Sequence, residues 1–105
     1  MSKAIYWQKG ECIDFMNSTD AKIEANSIVE LGSRCGVAGD DILPGATGAV
    51  FVEGVFIVPT GGSAFELGAD VFFDGSVAVT EGTAKLGWCV EPATAEQTEV
   101  KVKLG

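Results

Sequence analysis

The sequence predicts an all-β protein, a small single-domain β-barrel or sandwich of short strands with little or no helix, and three observations lead there. Fourteen glycines recur along the 105 residues, and each interior glycine costs a helix about 1 kcal/mol against alanine. No window places apolar residues at helical spacing, and β-branched residues are prominent in the apolar set. Short apolar runs stop at clusters of Gly, Asn, Asp and Pro, as strands do at turns. Hydrophobic residues make up 47% and charged residues 21% of the chain, which is enough apolar surface to offset chain entropy. The length suits one domain, residues 1–105, around one core.

In chain order the apolar runs predict strands over 5–7, 11–15, 21–24, 27–31, 35–38, 48–58, 64–66, 71–73, 77–80, 84–90 and 99–104. Turn signals separate them at 17–20, 25–26, 39–45, 60–63, 74–75 and 81–82. Asp74-Gly75 reads as a type I′ hairpin turn, because Asp tolerates and Gly prefers positive φ. The last strand alternates Val100, Val102 and Leu104 with Glu99, Lys101 and Lys103, giving one core face and one wet face. In the 48–58 run Val50, Val52, Phe56 and Val58 share one parity, and Ala49, Phe51, Val55 and Ile57 share the other. Both faces call for burial, so the run is central to a closed barrel or belongs to a contact made by Phe51, Val55 and Ile57. Gly54 marks a bulge or bend in it. Residues 22–29 also share a rhythm with 64–71, followed by Gly36-Val37-Ala38 and Gly87-Trp88-Cys89-Val90 respectively. A two-fold pseudo-repeat closing a small barrel and a mere recurrence of similar turns both account for that echo.

The charge pattern and the missing residue types exclude several functions. Fifteen acidic against seven basic residues leave a net charge of −8, which repels phosphate and argues against nucleic-acid binding. With no histidine, Ser-His-Asp and Cys-His hydrolases are excluded in their usual form. Cys12, Cys35 and Cys89 are odd in number and too widely spaced for a CxxC motif, so reduced, mostly buried thiols are expected. Asp40-Asp41 is the densest carboxylate site, and between Gly39 and Gly45 it reads as a polar turn in preference to a cation site. Gly61-Gly62-Ser63 lacks the lysine and spacing of a phosphate loop. Trp7 and Trp88 offer a ligand platform, or serve as core or interface aromatics, the favoured reading. No metal, cofactor or catalytic residue is expected. The opening MSKAIYWQKG has no long apolar run and the longest apolar stretch is broken by Glu53, so a soluble protein made in the cytoplasm, with no membrane partner, is expected.

Taken in order, Ala25-Asn26-Ser27-Ile28-Val29-Glu30-Leu31-Gly32, Gly36-Val37-Ala38, Asp41-Ile42, Gly45, Gly48, Val52-Glu53-Gly54-Val55-Phe56 and Pro59 resemble the bacteriophage capsid cement, or decoration, family. Gly68-Ala69-Asp70-Val71-Phe72-Phe73-Asp74, Gly87-Trp88 and the closing Val-Lys-Val strand resemble its second half. The acidic, alanine-rich stretch 91–97 departs from the glycine-rich or basic segment common there. The resemblance implies a structural, non-enzymatic protein of the virion, made in the bacterial host cytoplasm, that binds the outer capsid surface and stabilises the head. It implies the major capsid protein as partner, and by analogy a trimer for the homo-oligomer that the two-sided 48–58 run predicts, with Phe51, Val55 and Ile57 as subunit or capsid contact. The alternative is a small β-barrel ligand-binding module using Trp7 or Trp88. Circular dichroism of the isolated protein should show β-sheet with little helix; a helix content above about a third, the globular average, would refute the fold class.

Overall fold

The computed structural model describes residues 2–6 and 10–105. Among them lie nine strands and no helix: β1 (Cys12–Met16), β2 (Ile28–Leu31), β3 (Arg34–Ala38), β4 (Thr47–Phe51), β5 (Gly54–Pro59), β6 (Asp70–Phe73), β7 (Ala78–Val79), β8 (Ala84–Glu91) and β9 (Glu99–Leu104). The expected all-β class holds. All nine belong to one sheet that does not close, so there is no barrel.

The sheet is built from the same four-stranded unit twice. In the first unit the order is β1-β4-β3-β2, and in the second β5-β9-β8-β6. The registers correspond residue by residue. Ile13, Val50 and Ala38 lie opposite one another across β1, β4 and β3, as Phe56, Val102 and Cys89 do across β5, β9 and β8. Ile28 and Val29 face Val37 and Gly36, as Asp70 and Val71 face Trp88 and Gly87. Between strands, Ile23 and Ile42 exchange two backbone hydrogen bonds of 2.9 and 2.8 Å, and Phe65 and Ala93 exchange two of 2.8 and 3.0 Å. Each unit also has one turn in which Ser27 N–H donates to Glu24 O, or Ala69 N–H to Glu66 O. The third residue of that turn has positive φ, 69° at Asn26 and 84° at Gly68, a geometry that Asn and Gly tolerate best. The echo between 22–29 and 64–71 is therefore a structural repeat. The units meet where β3 and β8 run parallel at Arg34 and Lys85, joined by a 2.8 Å bond from Lys85 N–H to Ser33 O.

Each unit carries its own apolar cluster, Val29, Ala38, Ile42 and Val50 in the first and Phe65, Val71, Cys89, Ala93 and Val102 in the second. Cys35 and Val37, on the other face of β3, join the second cluster and bind the units together. One insertion breaks the symmetry. The second unit places β7 between β6 and β8 in sequence, where the first has only the turn Gly32-Ser33. Ala78 of β7 is buried in the second cluster and bridges to Thr60.

Several sequence expectations change. The run 48–58 is not one strand: it breaks at Val52-Glu53, and Gly54 (φ 116°) starts β5. The break is the seam between the repeats: Val50 is buried in one cluster and Val58 in the other, while Phe51, Val55 and Ile57 of the opposite parity stay exposed and find no burial within the chain. Residues 21–24 and 64–66 contribute single bridges instead of strands, at Ile23 and Phe65. Ile5 and Tyr6 are not in a strand, and the rest of the expected 5–7 strand, Trp7, lies outside the described residues. The Asp74-Gly75 hairpin exists, but only Gly75 has positive φ, so the turn is not type I′. Instead Asp74 Oδ1 accepts the N–H groups of Ser76 (2.8 Å) and Val77 (2.9 Å). The Val77 and Ser76 bonds hold the carboxyl below the ordinary aspartate range, so the support they give the turn is present above that range and is lost as pH falls through the depressed value.

At Gly36 and Gly87, equivalent positions of β3 and β8, strands pass closer than a side chain permits. A Cβ on Gly36 would lie 2.8 Å from Phe51 O, and one on Gly87 would overlap Lys103 O. Gly87→Ala should therefore lower stability on the order of 3 kcal/mol, at the upper end of overpacking costs because backbone must move; urea denaturation of wild type and variant measures it, and an unchanged midpoint would contradict the close approach.

Candidate functional site

The face of the second unit turned away from its cluster is open and mixed in chemistry. Residues opposite one another in antiparallel strands share a face, so Val55, Lys103, Trp88 and Asp70 form one row across β5, β9, β8 and β6. Ile57, Lys101 and Glu91 form the next. Val55 is 57% and Ile57 62% exposed. Both stand on β5, which carries no charged side chain and whose strand partner among the described residues is β9 alone, leaving an edge without the usual charged protection. Lys101 and Lys103 flank this apolar strip on its β9 side. Lys101 Nζ lies 2.8 Å from Glu91 Oε2 and Lys85 Nζ 3.3 Å from Asp70 Oδ1, exposed pairs that contribute about 0–1 kcal/mol each. Lys103 Nζ reaches the Leu104 carbonyl at 3.3 Å.

Phe51 is placed differently from Val55 and Ile57. It is opposite Cys12 and Val37 in the first unit, and its ring centroid is 6.2 Å from that of Phe56. It remains 37% exposed and borders a hollow with Val55, Glu11 and Glu53 at the seam. Trp88 is half-buried on the open face, whereas Trp7 lies outside the described residues, so a two-tryptophan platform has only one described member. The open sheet leaves the alternative barrel module without an interior.

The remaining sequence candidates have local structural roles. Asp41 Oδ1 accepts Ala25 N–H at 2.8 Å and Asp40 Oδ1 accepts Asp41 N–H at 2.9 Å, which is turn chemistry. Thr60 Oγ1 accepts Gly62 N–H at 3.4 Å. Among the described residues no three His, Cys, Asp or Glu side chains converge. The sequence reading placed Asn17 in the turn 17–20 but missed that it is fully buried. Its Nδ2 donates to Ala21 O (2.8 Å) and Ile42 O (2.9 Å), and its Oδ1 accepts Thr19 N–H (3.0 Å) and Thr19 Oγ1–H (2.6 Å). It also missed the flanking lysines, because the β5–β9 register that brings Lys101 and Lys103 beside Ile57 and Val55 has no local sequence signal.

A family model described as phage cement protein matches residues 7–104. No curated protein and no solved structure matches the chain.

The three thiols are unpaired, with Cys35 and Cys89 buried and Cys12 partly exposed. Burial, with a further push from the Glu30 carboxylate, raises the Cys35 pKa, so its thiolate is scarce at pH 8. A thiol reagent at that pH should find one fast group, Cys12, in the native protein and three after unfolding without reductant. Only one group after unfolding would reveal a disulfide.

Proposed function

The chain belongs to the phage cement protein family, and from that premise we propose that it is a structural, non-catalytic decoration protein that binds the outer surface of the capsid and stabilises the head. The family match over 7–104 carries the reading. Its partner is the major capsid protein, it is made in the cytoplasm of the bacterial host, and it resides on the virion. The net charge of −8 supports a protein that leaves the packaged DNA alone.

The protein also self-associates, with a trimer favoured by analogy with proteins seated on capsid symmetry axes. Phe51, Val55 and Ile57 are the proposed contact residues toward a neighbouring copy or the capsid. Shape supports association. The molecule is a plate of 42 × 41 × 20 Å with a radius of gyration of 14.7 Å, where a compact chain of this length has about 13 Å. It exposes 6844 Å², against roughly 5,600 Å² for a compact monomer of its mass. The excess is of the size that an interface removes.

Purified protein mixed with heads that lack their decoration protein should sediment with them, and those heads should survive heating that ruptures bare ones. Protein that stays in the supernatant at high micromolar concentration would sink the capsid reading. Light scattering coupled to size exclusion, without capsids, should give the mass of three 10.9 kDa chains.

A further inference from the structure

The two units differ at one place in a way that exposes an empty strand position. In the second unit β7 lies along β6, with Phe72 opposite Val79 and Phe73 opposite Ala78. On its other side it meets the loop after β5, where Ala78 bridges to Thr60 and Val77 Cγ2 comes within 3.4 Å of a Cβ built on Gly61. The equivalents of β6, Thr60 and Gly61 in the first unit are β2, Asn17 and Ser18. There, among the described residues, β2 pairs with β3 alone and none corresponds to β7. What lies between Ser18 and β2 is a hollow of about 510 Å³ walled by Phe15, Ser18, Lys22, Ile23, Val29 and Glu30. Burial shows the effect. Val58 and Phe65 are buried in the second unit, while their counterparts Phe15 and Ile23 are only half-buried.

We infer that this hollow is a strand-accepting slot, and that its occupant is the segment 2–6 of a second copy of the chain, laid along the free edge of β2 as β7 is laid along β6. The segment has the chemistry for it. Ile5 is 92% and Tyr6 73% exposed, an apolar pair that finds no cover in its own molecule, and neither residue is in a strand. Ala4-Ile5-Tyr6 supplies a short apolar run where the second unit uses Val77-Ala78-Val79. Lys3, just before it, meets a rim that carries Glu24 and Glu30 together with Lys22, whose ammonium lies 3.9 Å from Asp41 Oδ2. Backbone hydrogen bonds along β2 supply affinity and the Phe15–Ile23 floor takes the side chains, as in strand addition generally. Segment and slot are different surfaces, so the contact is heterologous, and three copies close it into a ring if the rotation permits. The inference rests on the self-association reading and is independent of capsid binding.

Complementation tests it. The double variant Ile5→Asp, Tyr6→Asp keeps the slot and loses the segment; Ser18→Arg, at an exposed position, keeps the segment and blocks the slot. Each alone should run as one chain in light scattering at a concentration where wild type associates, and an equimolar mixture should recover a two-chain species. That recovery itself demonstrates that both variants fold, and Glu30→Arg serves as a second slot variant. Ser18→Arg and Glu30→Arg both associating like wild type would overturn the slot. Blocked association in both, with undiminished association of the Ile5, Tyr6 variant, would overturn the segment as occupant and transfer the role to another strand, such as a partner's β7. Wild type that stays monomeric at high micromolar concentration would overturn the inference and the trimer together, leaving capsid sedimentation to be judged separately.

Discussion

Strand-to-strand approach at Gly36 and Gly87 is the constraint on which both units depend. In each, the third strand crosses its neighbour so closely that the carbonyl of Phe51 or Lys103 occupies the space a Cβ would need. The row Ile13, Val50, Ala38 and its counterpart Phe56, Val102, Cys89 lie in register beside that crossing. The loop bridges at Ile23–Ile42 and Phe65–Ala93 then close over the rows. Two glycines at equivalent positions with the same steric neighbour are stronger support for the repeat than the apolar pattern, which many sheets share.

The units differ where their surroundings differ. The outward row of the first unit, Cys12, Phe51, Val37 and Ile28, is apolar, and Val37 is buried against the second unit. The same row in the second unit reads Val55, Lys103, Trp88 and Asp70 and faces solvent. Polar substitution follows exposure, so the apolar residues that persist there, Val55 and Ile57, are the ones that burial within the chain does not explain. At the loops the buried polar side chains also differ. Asn17 satisfies four partners around the longer loop of the first unit, whereas Thr60 in the second reaches Gln97 O and Gly62 N–H.

The sequence was legible where the signal is local. Alternation in 99–104 marked Val100, Val102 and Leu104 as the core face, while the echo of 22–29 in 64–71 left a repeat and a recurrence of similar turns equally open, and only the backbone, with positive φ at both Asn26 and Gly68, decides for the repeat. The run 48–58 was misread because one unit ends and the next begins inside it with only Val52-Glu53 between, and parity alone does not reveal that Val50 and Val58 serve different cores. The Asp74 turn shows the limit of dipeptide rules: the carboxylate caps two N–H groups, and this displaces the mirror-image turn that Asp-Gly otherwise favours. The open face was half legible. Val55 and Ile57 stood out as unplaced apolar residues, but Lys101, Lys103 and Trp88 join them only through long-range register.

The consecutive layout of the repeats sets an order of folding on the ribosome. Residues 12–51 contain all four strands of the first unit, so that unit can assemble while the remainder is still being made. The second unit is different, because β5 pairs with β9 alone and β9 is the last of its strands in sequence. Until β9 arrives, the six uncharged residues of β5 hang from a finished first unit with no strand beside them. Val37 and Cys35 of the first unit belong to the same cluster as Val58 of β5, so the surface that β5 finally packs against is made before the strand that pairs with it.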